Sequence, residues 1–393
     1  MISKTDTPKV LVIPMTAFAE NAGTFSRTLL LVQKLKQSQI DVALCAAEDA
    51  NFRPIEGVKN YHLSVPMPLG LPKAIATRTF SVAQRLGVVG RKAVHSFDEV
   101  LFFTGNSNES YLSKSIAEIR NAIEDYKPDV IYSEFNIAAI VAAKLENIKL
   151  FITGSLPAQT DNCCKPQFAK GLNRILSEHH LPKVQSCIDL FKWAELRFVP
   201  SCQELEPFEA SNVIYCGAWK DISPFESSLK DKILVYMGSG SIPQKKIIRE
   251  IVPAFEKSPY SIYIAGRGLE NQSRGNIHIA SHFDFSRLLP ETALFIHHGG
   301  QNSMIDALIY GVPQLICPGK VFERQYNAKS IVRVGAGKEL SETQFTAEDI
   351  RRAVDELLMN PDYAENAGRI GQELASLGGI DNIVEKVKNS EVK

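Results

Sequence analysis

Leu294-Phe-Ile-His-His-Gly-Gly-Gln-Asn-Ser-Met-Ile-Asp-Ala-Leu-Ile-Tyr-Gly-Val-Pro-Gln-Leu-Ile-Cys-Pro318 is the stretch from which the rest of the chain is read. It divides into three pieces. Residues 292–296 are a short apolar run, the pattern of a strand buried on both faces of a parallel sheet. Residues 297–301 form a turn with two adjacent glycines. Residues 302–310 carry Met304, Ile305, Leu308 and Ile309 on one helical face. Gly311 then reads as a stop, and Pro313 forbids continuation. Strand, glycine turn and helix together aim the backbone N–H groups at 300–303 outward and unpaired, where an anion can take them. Gly299 and Gly300 carry no side chain to hold a phosphate away. His298 adds a ring donor, and Asn302 and Ser303 add side-chain hydrogen bonds. The plainer reading is a helix start capped by Asn302 or Ser303 with the histidines packed, so the turn is weighed with its surroundings.

Outward from the turn, His298-Gly-Gly-x-Asn-Ser is followed by Asp306-Ala-Leu, Gly311-Val-Pro, Pro318 and Glu323-x-x-x-Asn-Ala328. In that order and spacing, over about 283–337, the chain resembles the donor-sugar signature of family-1 nucleotide-sugar glycosyltransferases. These GT-B enzymes include the UDP-glycosyltransferases and the macrolide-type glycosyltransferases. The resemblance implies an α/β fold of two Rossmann-like, doubly wound parallel-sheet domains facing an interdomain cleft. It implies a diphosphate on His298, Gly300, Asn302 and Ser303, with Gly238 and Ser239 facing the phosphates from the turn after the first strand of the C-terminal half. It places the base near His282 or Phe283, and sugar-reading residues on a loop after Pro318. In the family an acid and a glutamine precede Asn-Ala. Counting back from Asn327-Ala328 puts Glu323 in the acid's place and Arg324 in the glutamine's, with Gln325 one residue late. That departure leaves the donor sugar open. Asp306 stands where relatives mostly carry Glu, a mild and structural change.

At 393 residues the chain is expected to hold two domains. Lys+Arg and Asp+Glu both number 44, so no net field draws it to nucleic acid. No apolar run reaches the ~18 residues of a membrane helix, and the polar N-terminus is unlike a signal peptide. Seven cysteines, an odd count without metal-ligand spacing, read as reduced thiols of a cytoplasmic protein, monomer or homodimer.

Two series of βα units are expected. The first runs over 1–217 and binds the acceptor, with strands at 9–14, 40–45, 61–65, 100–103, 129–132, 150–153 and 196–200. A polar linker follows at 218–230. The second runs over 231–377 and binds the nucleotide sugar, with strands at 232–237, 260–265, 276–280 and 292–296. Residues 378–393 form a final helix packing back towards the first domain, as in GT-B enzymes. The helical stretch 72–92 is basic on one face and apolar on the other. It reads as a solvated face, with a flap over the acceptor or a peripheral membrane contact as the alternatives.

The reaction the resemblance implies is displacement at the anomeric carbon with a UDP or TDP leaving group and a small-molecule or lipid-like acceptor. Nucleotide sugar is then substrate, and no cofactor is called for. No Asp or His cluster suggests a metal, and a helix N-terminus can take the divalent ion's place. Relatives use a histidine in the loop after the first strand to take the acceptor's proton. Here there is no histidine between Met1 and Tyr61. Glu20 is the nearest stand-in by position, with Asp161 or His95 as alternatives from other loops. The same absence motivates a second reading, a non-catalytic GT-B auxiliary protein that activates a partner glycosyltransferase. A third, a sugar-nucleotide epimerase of the same architecture, is disfavoured by the sugar-loop signature.

Overall fold

The apolar strands alternate their side chains between two cores, which is why they are buried on both faces. In β1 (Lys9–Pro14), Leu11 and Ile13 enter one cluster with Ile131 and Ile152, while Val10 and Val12 enter another with Tyr132, Phe151 and Phe198. The computed structural model describes residues 7–16, 22–47, 53–70, 93–159, 165–220, 229–238 and 240–390. Glu20, Asp161, Ser239 and the 72–92 stretch lie outside the described residues, as does most of the expected linker.

The first sheet holds β2 (Asp41–Ala46), β3 (Lys59–His62), β4 (Val130–Glu134), β5 (Lys149–Thr153), β6 (Leu196–Val199) and β7 (Val213–Tyr215) with β1. Its order is β3-β2-β1-β4-β5-β6-β7, and every pairing is parallel. The second sheet is built from β8 (Lys232–Tyr236), β9 (Ser261–Ala265), β10 (Gln272–Arg274), β11 (Ile277–Ala280), β12 (Thr292–His297), β13 (Gln314–Ile316) and β14 (Gly337–Glu339). Its order is β10-β11-β9-β8-β12-β13-β14, parallel except for the β10–β11 edge hairpin. Both orders reverse direction once, between β1 and β4 and between β8 and β12. In an open α/β sheet those switch points are where ligands bind, outside the carboxyl ends of the strands.

Residues 100–103, expected as a strand, lie instead in the helix Phe97–Thr104. Ser96 accepts from the Glu99 amide as N-cap, Asp98 and Glu99 fill the first turn, and Gly105 at φ 84 ends it. Local capping outweighs the β-like run Val100-Leu-Phe-Phe.

The two halves meet through helices and loops beside the sheets. Tyr326 Oη and Ser330 Oγ both donate to the Leu205 carbonyl, and Arg369 grips Glu204 with two hydrogen bonds of 2.6 and 2.9 Å. On another side Val94 bridges Val321. The Val94 amide donates to Lys320 O at 3.0 Å, and Val94 O accepts from the Phe322 amide at 2.9 Å. The last helix, Asp381–Lys388, buries Ile383, Val384 and Val387 in the cluster of Val10, Leu31 and Tyr132, and Asp381 pairs with Lys34.

Candidate active site

The turn after β12 is held from inside. Gly299 has φ 85, a left-handed conformation that favours glycine. Its amide donates to His297 Nδ1 at 3.1 Å, so His297 carries its proton on Nε2 and donates it to Gln314 Oε1 at 2.8 Å. Gln314 Nε2 donates onward to Met304 O, and Asn327 Nδ2 donates to Gly299 O at 2.8 Å. His297 is fully buried, and burial lowers its pKa to about 4, so the ring is neutral at ordinary pH. The first histidine of the pair is therefore structural.

His298 is the second. Its ring lies against Gly238 and Gly300. A Cβ on Gly238 would sit 2.8 Å from His298 Cε1, and one on Gly300 would sit 3.0 Å from Nε2. Gly238 also has φ 45. The strand register explains the meeting: β12 pairs with β8, His297 opposite Tyr236, so the two glycine turns leave adjacent strands at the switch point. Burial first, then Arg324 and His297, push the His298 pKa down to about 3. Its Nδ1 is buried and makes no well-formed hydrogen bond among the described residues, although the Tyr236 backbone lies close enough to favour the charged ring slightly. A buried ring nitrogen in that setting can take a ligand as its partner.

The helix Gln301–Ile309 begins with Gly300 as N-cap, and no side chain caps it. The first intrahelical bond is from the Met304 amide to Gly300 O. The amides of Gln301, Asn302 and Ser303 thus have no acceptor among the described residues. Asn302 is exposed and lines a cleft of about 170 Å³ shared with Arg27, Trp219, Lys220 and Asp306. Lys220 Nζ lies 2.5 Å from Asp306 Oδ1. Open amides, the positive end of the helix dipole and Arg27 make this end of the cleft favourable to an anion.

The sugar-reading candidates differ from expectation in setting. Glu323, Arg324 and Gln325 lie in the first turn of the helix Phe322–Arg333, not on a loop. Pro318 and Gly319 only introduce that helix. Gln325 Nε2 donates to Gly319 O at 3.0 Å. Arg324 is half-buried, and burial lowers its pKa. Phe283 is half-buried, edge-on to Tyr263 at 5.3 Å, while His282 is exposed. His282 therefore has the freer ring face. His95 is exposed beside Val94.

Three further polar residues at this boundary went unread in the sequence. Arg27 donates from Nε to Glu134 Oε1 at 2.7 Å, with Glu134 1% exposed. Burial opposes the Arg27 charge, but Glu134 and the more distant Glu323 outweigh it and raise its pKa. Glu206 is also 1% exposed, accepts from the Leu156 amide at 2.7 Å, and takes Gln301 Nε2 of the second domain at 3.3 Å. Burial pushes its pKa up to about 7 against hydrogen bonds that lower it. A carboxyl raised in the folded state contributes stability that is whole below the ordinary value of 4.5 and is lost as pH rises through about 7. The melting temperature of the native chain should therefore fall, relative to Glu206→Gln, between about pH 5 and 8. Parallel curves would show that Glu206 stays charged in the folded state.

Residues 265–389 match the family model described as the C-terminal domain of erythromycin biosynthesis protein CIII-like proteins. An aclacinomycin-T 2-deoxy-L-fucose transferase from Streptomyces galilaeus is 37% identical over 110 residues, 28% of this chain and 25% of that protein. UDP-glucosyltransferase B1 of Starmerella bombicola is 28% identical over 170 residues, 42% of this chain and 38% of its own length. The match thus spans well under half of either curated relative. Among solved structures, the glycotransferase of kitacinnamycin superposes with TM-score 0.74 at 17% identity, covering 98% of this chain and 100% of that one. The calicheamicin glycosyltransferase CalG4 gives 0.71 at 15% identity, covering 98% of both. Likeness at such identity carries the fold alone. Residues 265–389 are thus similar to the erythromycin biosynthesis protein CIII-like C-terminal domain, and the chain as a whole has the two-sheet GT-B fold of the solved glycosyltransferases on which it superposes.

Proposed function

We propose that the protein is a glycosyltransferase that moves a sugar from UDP or TDP to a small, natural-product-like acceptor, with inversion at the anomeric carbon. The observation that carries this reading is the open helix start, the uncapped amides of Gln301 to Ser303 beside the buried His298 Nδ1. In it His298, Gly300, Asn302 and Ser303, with Gly238 opposite, hold the diphosphate, and Ser239 is a further donor. These donors stabilise charge growing on the leaving oxygen, the task a divalent ion performs elsewhere. Glu323, Arg324 and Gln325 face the sugar, and His282 or Phe283 the base. The names of the relatives agree in class, a 2-deoxy-L-fucose transferase and a UDP-glucosyltransferase, and one solved neighbour, a spinosyn rhamnosyltransferase, is complexed with thymidine diphosphate.

The test is thermal denaturation with a panel of nucleoside diphosphates. UDP or TDP at about 100 times its Kd should stabilise the chain by about 2.7 kcal/mol, while the nucleosides alone should do far less. No stabilisation by any diphosphate would defeat the reading. The absence of a histidine before His62 supports one competitor, an auxiliary partner without turnover of its own. Sugar transfer by the purified chain excludes it.

A further inference from the structure

A group placed to take the acceptor's proton stands on the first sheet, whose switch point lies between β1 and β4. Glu134 is the last residue of β4 and stands opposite Pro14, the last residue of β1. It is therefore a carboxylate at the crevice where a doubly wound sheet presents its ligand. Phe135, the next residue, has φ 61, a left-handed conformation that a bulky side chain adopts at a cost. Strain of this kind concentrates at functional sites, and here it aims the end of β4.

The carboxylate is wired on both oxygens. Arg27 Nε donates to Oε1 at 2.7 Å, and the Thr153 hydroxyl donates to Oε2. Thr153 in turn lies 2.8 Å from Tyr132 Oη, and since its own proton is committed to Glu134, Tyr132 is the donor in that pair. Among the described residues each carboxylate oxygen accepts one hydrogen bond, and a carboxylate oxygen can accept a second. Arg27 has one more property: it lines the cleft that Gln301 and Asn302 line from the second domain. One guanidinium therefore stands between a buried carboxylate and the amides assigned above to the diphosphate.

We infer that Glu134 is the catalytic base and that Arg27 is its positioning partner, drawn from the carboxylate towards the diphosphate as negative charge builds on the leaving group. This rests on the transferase reading and deepens it. In the step, an acceptor O–H oxygen forms a bond to the anomeric carbon as the bond from that carbon to the diphosphate oxygen breaks. The electron pair of the broken bond stays on the diphosphate, and the acceptor proton passes to a Glu134 oxygen, then to solvent. While Arg27 is paired with Glu134 its guanidinium occupies Oε1. When the guanidinium turns to the diphosphate, that oxygen is opened to the acceptor hydroxyl. Leaving-group departure and proton removal are coupled through one side chain.

The bland alternative is an ion pair that staples the helix Ala22–Gln37 to the sheet, and the experiment separates the two. The full chain is assayed with UDP-glucose and TDP-glucose and two acceptors. One is 2-chloro-4-nitrophenol, already ionised at neutral pH, and the other is 4-nitrobenzyl alcohol, which keeps its proton. Glu134→Gln should slow transfer to the alcohol by about 10²-fold or more, slow transfer to the phenolate by less than about tenfold, and leave the TDP-induced melting shift intact. If Glu134→Gln does not fold, Glu134→Asp serves the same comparison, because a carboxylate withdrawn by one methylene slows the alcohol selectively. Equal losses on both acceptors, or none on either, overturn the proposal while leaving the transferase reading in place. A native chain that neither gains stability from a diphosphate nor transfers sugar refutes that reading, and the base assignment with it.

Discussion

His298→Ala should abolish the melting-temperature rise that TDP or UDP gives the native chain. The ring is more than nine-tenths buried and fills the space between Gly238 and Gly300, which a Cβ on either glycine would invade. Truncation removes a buried ring nitrogen and empties that space at once. The ligand-free protein should lose roughly 2 kcal/mol to the cavity, near the low end for large-to-small core changes. The ligand term should go from about 2.7 kcal/mol, at a hundredfold excess over the native Kd, to near zero. Comparing the shift with and without diphosphate separates the two, since the cavity lowers both curves alike. A variant that keeps the native shift would show that the amides of 301–303 bind without the ring, or that the anion binds elsewhere.

Gly371→Ala should be among the most damaging single-methyl additions in the chain. Gly371 lies in the helix Asp362–Ser376 where it crosses the helix Gln301–Ile309, and a Cβ there would meet Leu308 O at 2.0 Å and its carbonyl carbon at 2.7 Å. Both obstacles are backbone, so no rotamer change relieves them and the helices must part. Overpacking of this kind costs about 3 kcal/mol, the upper end of its usual range. At roughly 2–4 °C per kcal/mol for a domain of this size, the melting temperature should fall by about 6–12 °C. Because the displaced helix carries the open amides at its other end, diphosphate affinity should fall as well. Gly368→Ala, three residues earlier in the same helix, is the matched control. Nothing lies within 4 Å of its added Cβ, so it should be neutral or gain up to about 1 kcal/mol. Equal behaviour of the two variants would show that helix propensity, and not the crossing, decides.

What could be read beforehand was local. The run Leu294-Phe-Ile, the paired glycines and the 3.6-residue spacing after them each declare their own conformation, so β12, its turn and its helix needed no partner to be seen. The alternation of βα units likewise announces two parallel sheets. Other features depend on distant neighbours. Residues 100–103 carry a β-like composition, but Ser96 and Gly105 enclose a helix with no exposed residue. Glu323 to Gln325 sit after Pro318 and Gly319 in a pattern that reads as loop, yet the helix starts at Phe322, whose ring packs into the core of the first domain. Glu134 followed a strand like any polar residue ending one. Only the pairing of β4 with β1, 107 residues beyond Arg27, gives it a partner and a place.

The bridge between Val94 and Val321 carries a further consequence. Two backbone hydrogen bonds tie the segment that follows 72–92 to the residues that open the Phe322–Arg333 helix. A molecule that shifts the chain ahead of Val94 therefore also shifts Glu323 and Arg324. Thermodynamic reciprocity then requires that occupancy on one side change affinity on the other by the same factor in both directions. Sugar selectivity measured without an acceptor need not equal selectivity measured with one, and RT times the logarithm of their ratio is the coupling free energy between the two sides.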